Sequence, residues 1–304
     1  MESIAIVAGL LSALFWGLSP VVSKRGLSYG GSPLVVALIV VVTGFVFLWG
    51  IQLVTNGVGQ FAPGLTRNGY LVFIAAGFIG TAIGRISNYA GVDRVGASIN
   101  SSIISGNPLF ATILAFFVLG EVITPIQVVG VLTVIAGLVA LSLSRGGDLE
   151  GWSRRDLAFP ILAGLAYGAG SVIRRYGLTT TTATPIEGAA LNETAALVGI
   201  LGFVVMRRRE SLFDVPRRAL GYFVLTGVLG AMGLTSLFVG LDYGRVAIVT
   251  VLSGTSPLVA LSVTYLFMGD IERVDRRVVI GAILVVLGIV AITVPSLLAS
   301  TVNA

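Results

Sequence analysis

Ten apolar runs, each close to the length of a bilayer crossing, fill this chain at approximately 3-23, 33-54, 70-90, 97-119, 124-143, 158-178, 185-206, 219-239, 246-268 and 278-298. A helix rising 1.5 Å per residue needs about 20 apolar residues to cross roughly 30 Å of hydrocarbon, so each run suffices for one span. The longest polar stretches are Thr55 to Gly69, Ser144 to Leu157 and Arg207 to Arg218, which leave no room for an aqueous catalytic domain. With 56% of residues hydrophobic and 11% charged, the chain carries less than half the charge of an average globular protein at about 25%. The runs are continuously apolar and twice as long as a tilted strand requires, so a barrel is excluded. These features predict an all-α membrane protein, multi-pass in the cell membrane.

Zero Cys removes disulfides and thiolate sites, and zero His removes the commonest metal ligand, so no cofactor and no metal site are expected. A pI near 9.9 invites a nucleic-acid reading. Against it, the basic residues, all arginine except Lys24, sit in short clusters between apolar runs, where they set membrane orientation. The first run follows Met1-Glu2-Ser3 with no basic region before it and no small-residue cleavage site after it, and is expected to be an uncleaved helix.

The chain repeats itself. Leu11 to Leu27 aligns with Leu162 to Leu178 at an offset of 151, matching Trp16 to Tyr167, Gly17 to Gly168, Lys24 to Arg175 and Gly26-Leu27 to Gly177-Leu178. At an offset of 149, Tyr89 to Asp93 meets Phe238 to Asp242, Pro108 meets Pro257, and Gly120-Glu121 meets Gly269-Asp270. The two repeats are 1-147 and 148-304, each holding five spans. Because five is odd, the second copy enters from the opposite face, which gives two inverted five-helix repeats with ten transmembrane helices in all. Two half-units facing opposite ways supply two gates around one site, the architecture of alternating access.

Trp16-Gly17, Val21-Val22, Lys24-x-Gly26-Leu27, the Pro108 helix, Leu119-Gly120-Glu121 and Gly130-x6-Gly137, with their counterparts in the second half, resemble the ten-helix EamA-type members of the drug/metabolite transporter superfamily. The resemblance covers roughly residues 5 to 295 and implies export or exchange of a small organic metabolite, amino acid or drug, driven by a proton or solute gradient. It also implies an arginine about seven residues after the Pro that opens the second helix of a half. Here those positions are Val40 and Asn192, which puts an anion-binding role at that spot in doubt.

An ionisable side chain near the bilayer centre costs at least about 2.5 to 3.5 kcal/mol, so each is a functional candidate. Glu193 lies about 12 Å into its span, beside Asn192, and Arg85 lies about 22 Å into its own, on one stripe with Thr81 and Asn88. The spans run in the same direction, so the depths differ by about 10 Å; a direct pair needs long side chains or tilt to close that gap. Glu193 is the candidate coupling carboxylate, since an unpaired carboxylate in hydrocarbon favours its neutral form and can carry a proton. The competing account is a buried pair that only fixes helix register.

Ser105-Gly106-Asn107-Pro108 and Ser253-Gly254-Thr255-Ser256-Pro257 place Pro108 and Pro257 within spans, where each removes a donor and clashes with the carbonyl four residues back. Interruptions at matching places in two halves point to a central site, expected to be lined by Asn100, Ser101, Asn107, Thr250 and Ser256. An ordinary kink patched by side chains is the plainer account. Trp16 and Tyr167 could offer ring faces to a solute, with Lys24 and Arg175 as a basic gate; equally, the rings pack in the bundle and the cations snorkel at span ends. Glycine runs such as Gly77-x2-Gly80-x3-Gly84 and Gly227-x2-Gly230-x2-Gly233 fit close helix approach.

Loops on the side of the termini carry Arg67, Arg174, Arg175 and Arg245, while the opposite loops carry 14 basic residues. The positive-inside rule therefore puts the termini outside, whereas the resemblance implies cytoplasmic termini. An intramembrane aspartyl protease is excluded because Asp93 and Asp242 end spans on opposite faces, and Asp270, Glu272 and Asp275 among arginines read as a solvated loop. No enzyme is expected. The remaining expectation is a secondary transporter acting on a small-molecule solute, with protons as a candidate coupling ion, lipid as its surroundings, no nucleic acid, and a monomer or homodimer as its assembly. A channel or facilitative pore is the alternative.

Overall fold

The computed structural model describes residues 2–56, 65–95, 100, 103–104, 106–144, 153–207, 215–267, 280–281 and 283–291. Among these, every regular element is helical. Helices α1 (Glu2–Leu27) and α2 (Pro33–Asn56) are followed by a passage in three parts, α3 (Arg67–Ala75), a π-helical stretch (Ala76–Ile83) and α4 (Gly84–Val95). Then come α5 (Asn107–Leu119), α6 (Pro125–Ser144), α7 (Ala158–Thr180), α8 (Pro185–Arg207), α9 (Arg217–Tyr243), α10 (Val246–Ser253) and α11 (Ser256–Phe267). Residues 283–291 are also helical. The ends of α1, α2, α6, α7, α8 and α9 fall within a few residues of the expected apolar runs, whereas the start of the fourth run and both ends of the tenth lie outside the described residues.

Helix starts follow from local chemistry. At α8 the Thr184 amide donates to Glu187 Oε2 at 2.8 Å and the Glu187 amide donates to Thr184 Oγ1 at 3.4 Å, a reciprocal cap. Thr124 and Gln127 repeat it at α6, with bonds of 3.1 and 3.4 Å. Gly120, at φ +67°, ends α5 in the left-handed conformation that glycine adopts without a Cβ clash.

Among the described residues six helices are long and apolar enough to cross a membrane: Glu2–Leu27, Val35–Thr55, Arg67–Val92, Arg154–Thr180, Pro185–Met206 and Arg217–Tyr243. Packing inverts the pattern of a water-soluble protein. On α1 the residues turned outward are Ile4, Val7, Leu10 and Leu14, whereas Ala5, Ala8, Ser12, Ala13 and Gly17 are buried. Large apolar groups face lipid, and small ones let helix backbones approach.

Close approaches recur in corresponding pairs. A β-carbon at Gly17 would lie 2.6 Å from the Ser256 carbonyl, and one at Gly168 would lie 3.1 Å from the Asn107 carbonyl. One at Gly233 would meet the Trp16 ring at 2.5 Å, and one at Gly84 the Tyr167 ring at 2.6 Å. One at Gly227 would lie 3.0 Å from the Val40 carbonyl, and one at Gly77 would meet the Asn192 carbonyl closer still. In each pair the corresponding residues of the two halves sit 149 to 152 positions apart in the chain.

Pro108 and Pro257 correct the expected geometry. Neither kinks a continuous helix. Each takes the second position of a new one, where a missing N–H costs little, after a break at Gly106 or at Gly254-Thr255. In the second break the Gly254 amide donates to the Thr250 carbonyl at 2.9 Å and the Thr255 amide to Leu252 at 3.1 Å. The breaks face each other, since a β-carbon at Gly254 would lie 3.5 Å from the Pro108 ring.

Candidate functional site

The π-helical stretch widens the third passage where α7 and α8 press against it, through Gly80 on Gly170 and Gly77 on Asn192. Such stretches mark functional positions in many helices, because they displace side chains from the regular face. Here Thr81, inside the stretch, becomes the hub of a buried polar network. Arg174 Nη2 and Asn192 Nδ2 both donate to Thr81 Oγ1, at 2.9 and 3.0 Å, and Arg174 Nε donates to Asn192 Oδ1 at 3.0 Å. Arg174 is 4% exposed and Asn192 fully buried. The Arg174 guanidinium also lies over the Phe238 ring, 5.8 Å from its centre, a cation–π contact that helps hold it within the bundle.

One residue beyond Asn192, Glu193 Oε1 stands 3.5 Å from Arg85 Nη1. The expected depth gap is closed because helical side chains lean back toward their own N-terminus and the long arginine spans the rest. At that distance the contact is an ion pair longer than a hydrogen bond, and both Arg85 Nη1 and Glu193 Oε2 are buried without a hydrogen-bond partner. The Arg85 side chain is 23% exposed and that of Glu193 3%, so the arginine borders the more open space. Gly44 of α2 backs the carboxylate, a β-carbon there standing 2.9 Å from Oε1. Trp49 braces α8 next door by donating to Thr194 Oγ1 at 3.0 Å.

Arg174 is the residue that sequence reasoning missed. It stood among the loop arginines that report orientation; instead it is buried, and that terminal side loses one of its charges. The signal was its spacing, since Tyr167, Gly170 and Arg174 share one face of α7 at intervals of three and four. The helix position where the resembled family has arginine holds Asn192, and a guanidinium reaches that spot from α7.

The other expected residues divide. Asn100 is buried and donates to Asn88 Oδ1 at 2.6 Å, beside Gly91, whose missing side chain leaves it room. Asn107 and Ser256 are the first residues of α5 and α11, at the two breaks. Thr250, Ser253 and Thr255 donate to the carbonyls of Val246, Thr250 and Leu252 at 2.7, 3.1 and 2.6 Å, so hydroxyls patch the second break. Ser101 and Ser105 lie outside the described residues. Trp16 packs between α1 and α9 and donates to the Gly230 carbonyl at 3.2 Å. Tyr167 packs its ring against Gly84, the residue before Arg85. Lys24 is exposed at the end of α1. Arg175 donates to the carbonyls of Leu241 and Asp242, the latter at 2.7 Å, where a helix C-terminus favours a cation.

On the terminal side, Glu121 Oε1 accepts the Val246 amide at 2.9 Å, and Arg245 Nη1 donates to the Val122 carbonyl at 2.8 Å, which fastens the end of α5 to the start of α10. Glu121 Oε2 has no partner, and burial pushes this carboxyl above its usual pKa despite the Val246 and Ala247 amides and two arginines that pull the other way. Opposite in the sequence, Arg94 meets Asp156 at 3.0 Å, an exposed pair of small energetic weight.

Apolar helices arranged around buried charges define an integral membrane protein whose polar chemistry lies in its interior. The sequence profile of the EamA-like transporter family matches residues 3–143 and again 156–294, so the chain belongs to that family. A curated protein of Clostridium kluyveri described as an "Uncharacterized transporter" is 33% identical over 152 residues, 49% of this chain and 48% of that one. The chain thus spans about half the length of the curated relative it matches. A chain of known crystal structure superposes with a TM-score of 0.78 over 100% of both chains at 18% identity, a likeness of fold alone.

Proposed function

We propose that the protein is a secondary active carrier in the cell membrane that moves a small organic solute by alternating access, built as two inverted five-helix repeats with ten transmembrane helices. The observation that carries this reading is the composition of the buried network. Thr81 and Arg85 come from the first half, and Arg174, Asn192 and Glu193 from the second. Carriers of this architecture bind at the interface between repeats, beside discontinuous helices. Two further features support it: the paired helix breaks meeting at Pro108 and Gly254, and the glycine contacts that recur between corresponding residues of the halves.

In this reading the solute enters beside Arg85, with Asn88, Asn100, Asn107, Tyr167 and Ser256 along its route. Arg175 and Lys24 mark the span ends, and rocking of one half against the other exposes the site alternately. Glu193 is the coupling carboxylate, since in a chain without histidine it is the described acid placed within the network. The test is solute-driven and proton-driven uptake into proteoliposomes by the wild type and Glu193→Gln. Glu193→Gln is expected to retain exchange and lose its dependence on a pH gradient. Intact gradient-driven uptake in that variant contradicts the coupling role.

A further inference from the structure

We propose that the central site takes the carboxylate of a small organic anion, which displaces Glu193 from Arg85. This deepens the carrier reading and rests on it. The first observation is charge. Among the described residues the network sets two guanidinium groups, Arg85 and Arg174, against the one carboxylate of Glu193, whose charge acts on both. A buried charge left uncompensated is costly, so the excess positive charge favours an anion as the missing partner.

The second observation is loose geometry. Arg174 is held in place by Thr81, Asn192 and Phe238. Arg85 is not: its Nη1 lacks a hydrogen bond, its only ion-pair contact with Glu193 is 3.5 Å, and it is the more exposed member of the pair. A guanidinium binds a carboxylate best through two short parallel bonds, a fit that Glu193 does not reach and a free carboxylate could. Tyr89 and Tyr167 stand beside the same guanidinium and give the rest of the anion aromatic surface.

A third observation separates a binding site from a structural ion pair. Through the repeat, the counterparts of Arg85, Arg174, Asn192 and Glu193 are Leu234, Ser23, Val40 and Val41. The corresponding helices pack there by the same glycine contacts with no charge at all, Gly227 on the Val40 carbonyl matching Gly77 on the Asn192 carbonyl. Packing therefore does not require the charges, and their presence on one side only suits a single asymmetric solute.

The full chain in lipid nanodiscs is titrated with hexanoate and 3-phenylpropanoate, with the amides and amines of the same skeletons, and binding is followed by thermal shift and calorimetry. Carboxylates are expected to bind, and amides and amines not. Glu193→Gln, by removing the internal competitor, is expected to tighten carboxylate binding about tenfold or more, and Arg85→Gln to abolish it. Asn192→Asp, nearly isosteric and adding a second carboxylate, is expected to weaken it by a similar factor and guards against misfolding of the arginine variant. Amine binding that Glu193→Gln removes, carboxylate binding indifferent to Glu193→Gln, or no binding by any of these probes overturns the proposal. A carboxylate that binds as described without being exchanged across the bilayer sinks the carrier reading and leaves this one standing; exchange of amines alone does the reverse.

Discussion

Arg174 Nε donates to Asn192 Oδ1 at 3.0 Å, and this bond holds a guanidinium of α7 inside the apolar bundle. Thr81 completes the arrangement from the third passage, so three helices are joined by groups that hydrocarbon would otherwise reject. These bonds therefore tie the bundle together at the place where the solute is proposed to bind.

Removing the acceptor exposes that dependence. Asn192→Leu leaves Arg174 Nε without its partner in a dry site, and is expected to destabilise the protein by roughly 1.5–3 kcal/mol, the range for a hydrogen bond to a charged group. Thermal unfolding in detergent measures it. An unchanged midpoint would mean that Arg174 finds another acceptor at no cost.

Helix approach is tested by a β-carbon. Gly77→Ala places one against the backbone oxygen of Asn192, which cannot move aside cheaply, and should cost about 1–3 kcal/mol. Gly50→Ala and Gly202→Ala meet nothing within 4 Å and should leave the midpoint level or slightly raised. Equal responses at all three sites would refute the packing described.

The Glu121 clasp predicts a pH dependence of stability. Its carboxyl is raised in the folded protein, so between the unfolded and folded pKa values the folded state binds more protons than the unfolded one. Stability from this group accordingly falls as pH rises through that window, and the penalty is absent below the unfolded pKa. Glu121→Gln keeps an acceptor for the Val246 amide while abolishing the titration. The variant should gain on the wild type at neutral and higher pH and lose this component of the slope; an identical pH profile of the unfolding midpoint would contradict the assignment.

The paired breaks can be closed experimentally. Replacing Pro108 and Pro257 together with Ala lets each span re-form a continuous helix across Gly106 and Gly254. Because each proline occupies the start of a helix, stability should change by less than about 1 kcal/mol, while solute exchange falls severalfold. Full exchange activity in the double variant would mean that the breaks are not part of the route.

The spans were legible because hydropathy acts locally: about twenty apolar residues suffice to mark a helix whatever it packs against. Glycine at Gly77, Gly80 and Gly84 likewise announced close neighbours, though not which ones. Arg174 was not legible, since it lies only a few residues from the end of α7, where an arginine ordinarily snorkels to water. Thr81, Asn192 and Phe238, on other helices, turn it inward. The Arg85 and Glu193 contact was obscured for a related reason, because counting residues along two spans ignores the π-helical stretch that precedes Arg85 in its own span and the backward lean of a long side chain. A proline within an apolar run is equally ambiguous, and the restart at Pro108 depends on what Gly254 and Gly168 leave room for.

The most direct test of the central claim is counterflow. Proteoliposomes loaded with an unlabelled amino acid, small carboxylate or amine are diluted into the same labelled solute, with protein-free liposomes as reference. A carrier with one alternately exposed site predicts transient accumulation of label that saturates with external solute for at least one member of the panel. Flux that rises linearly without saturation, at conducting rates and with no transient accumulation, would contradict the carrier and identify a pore.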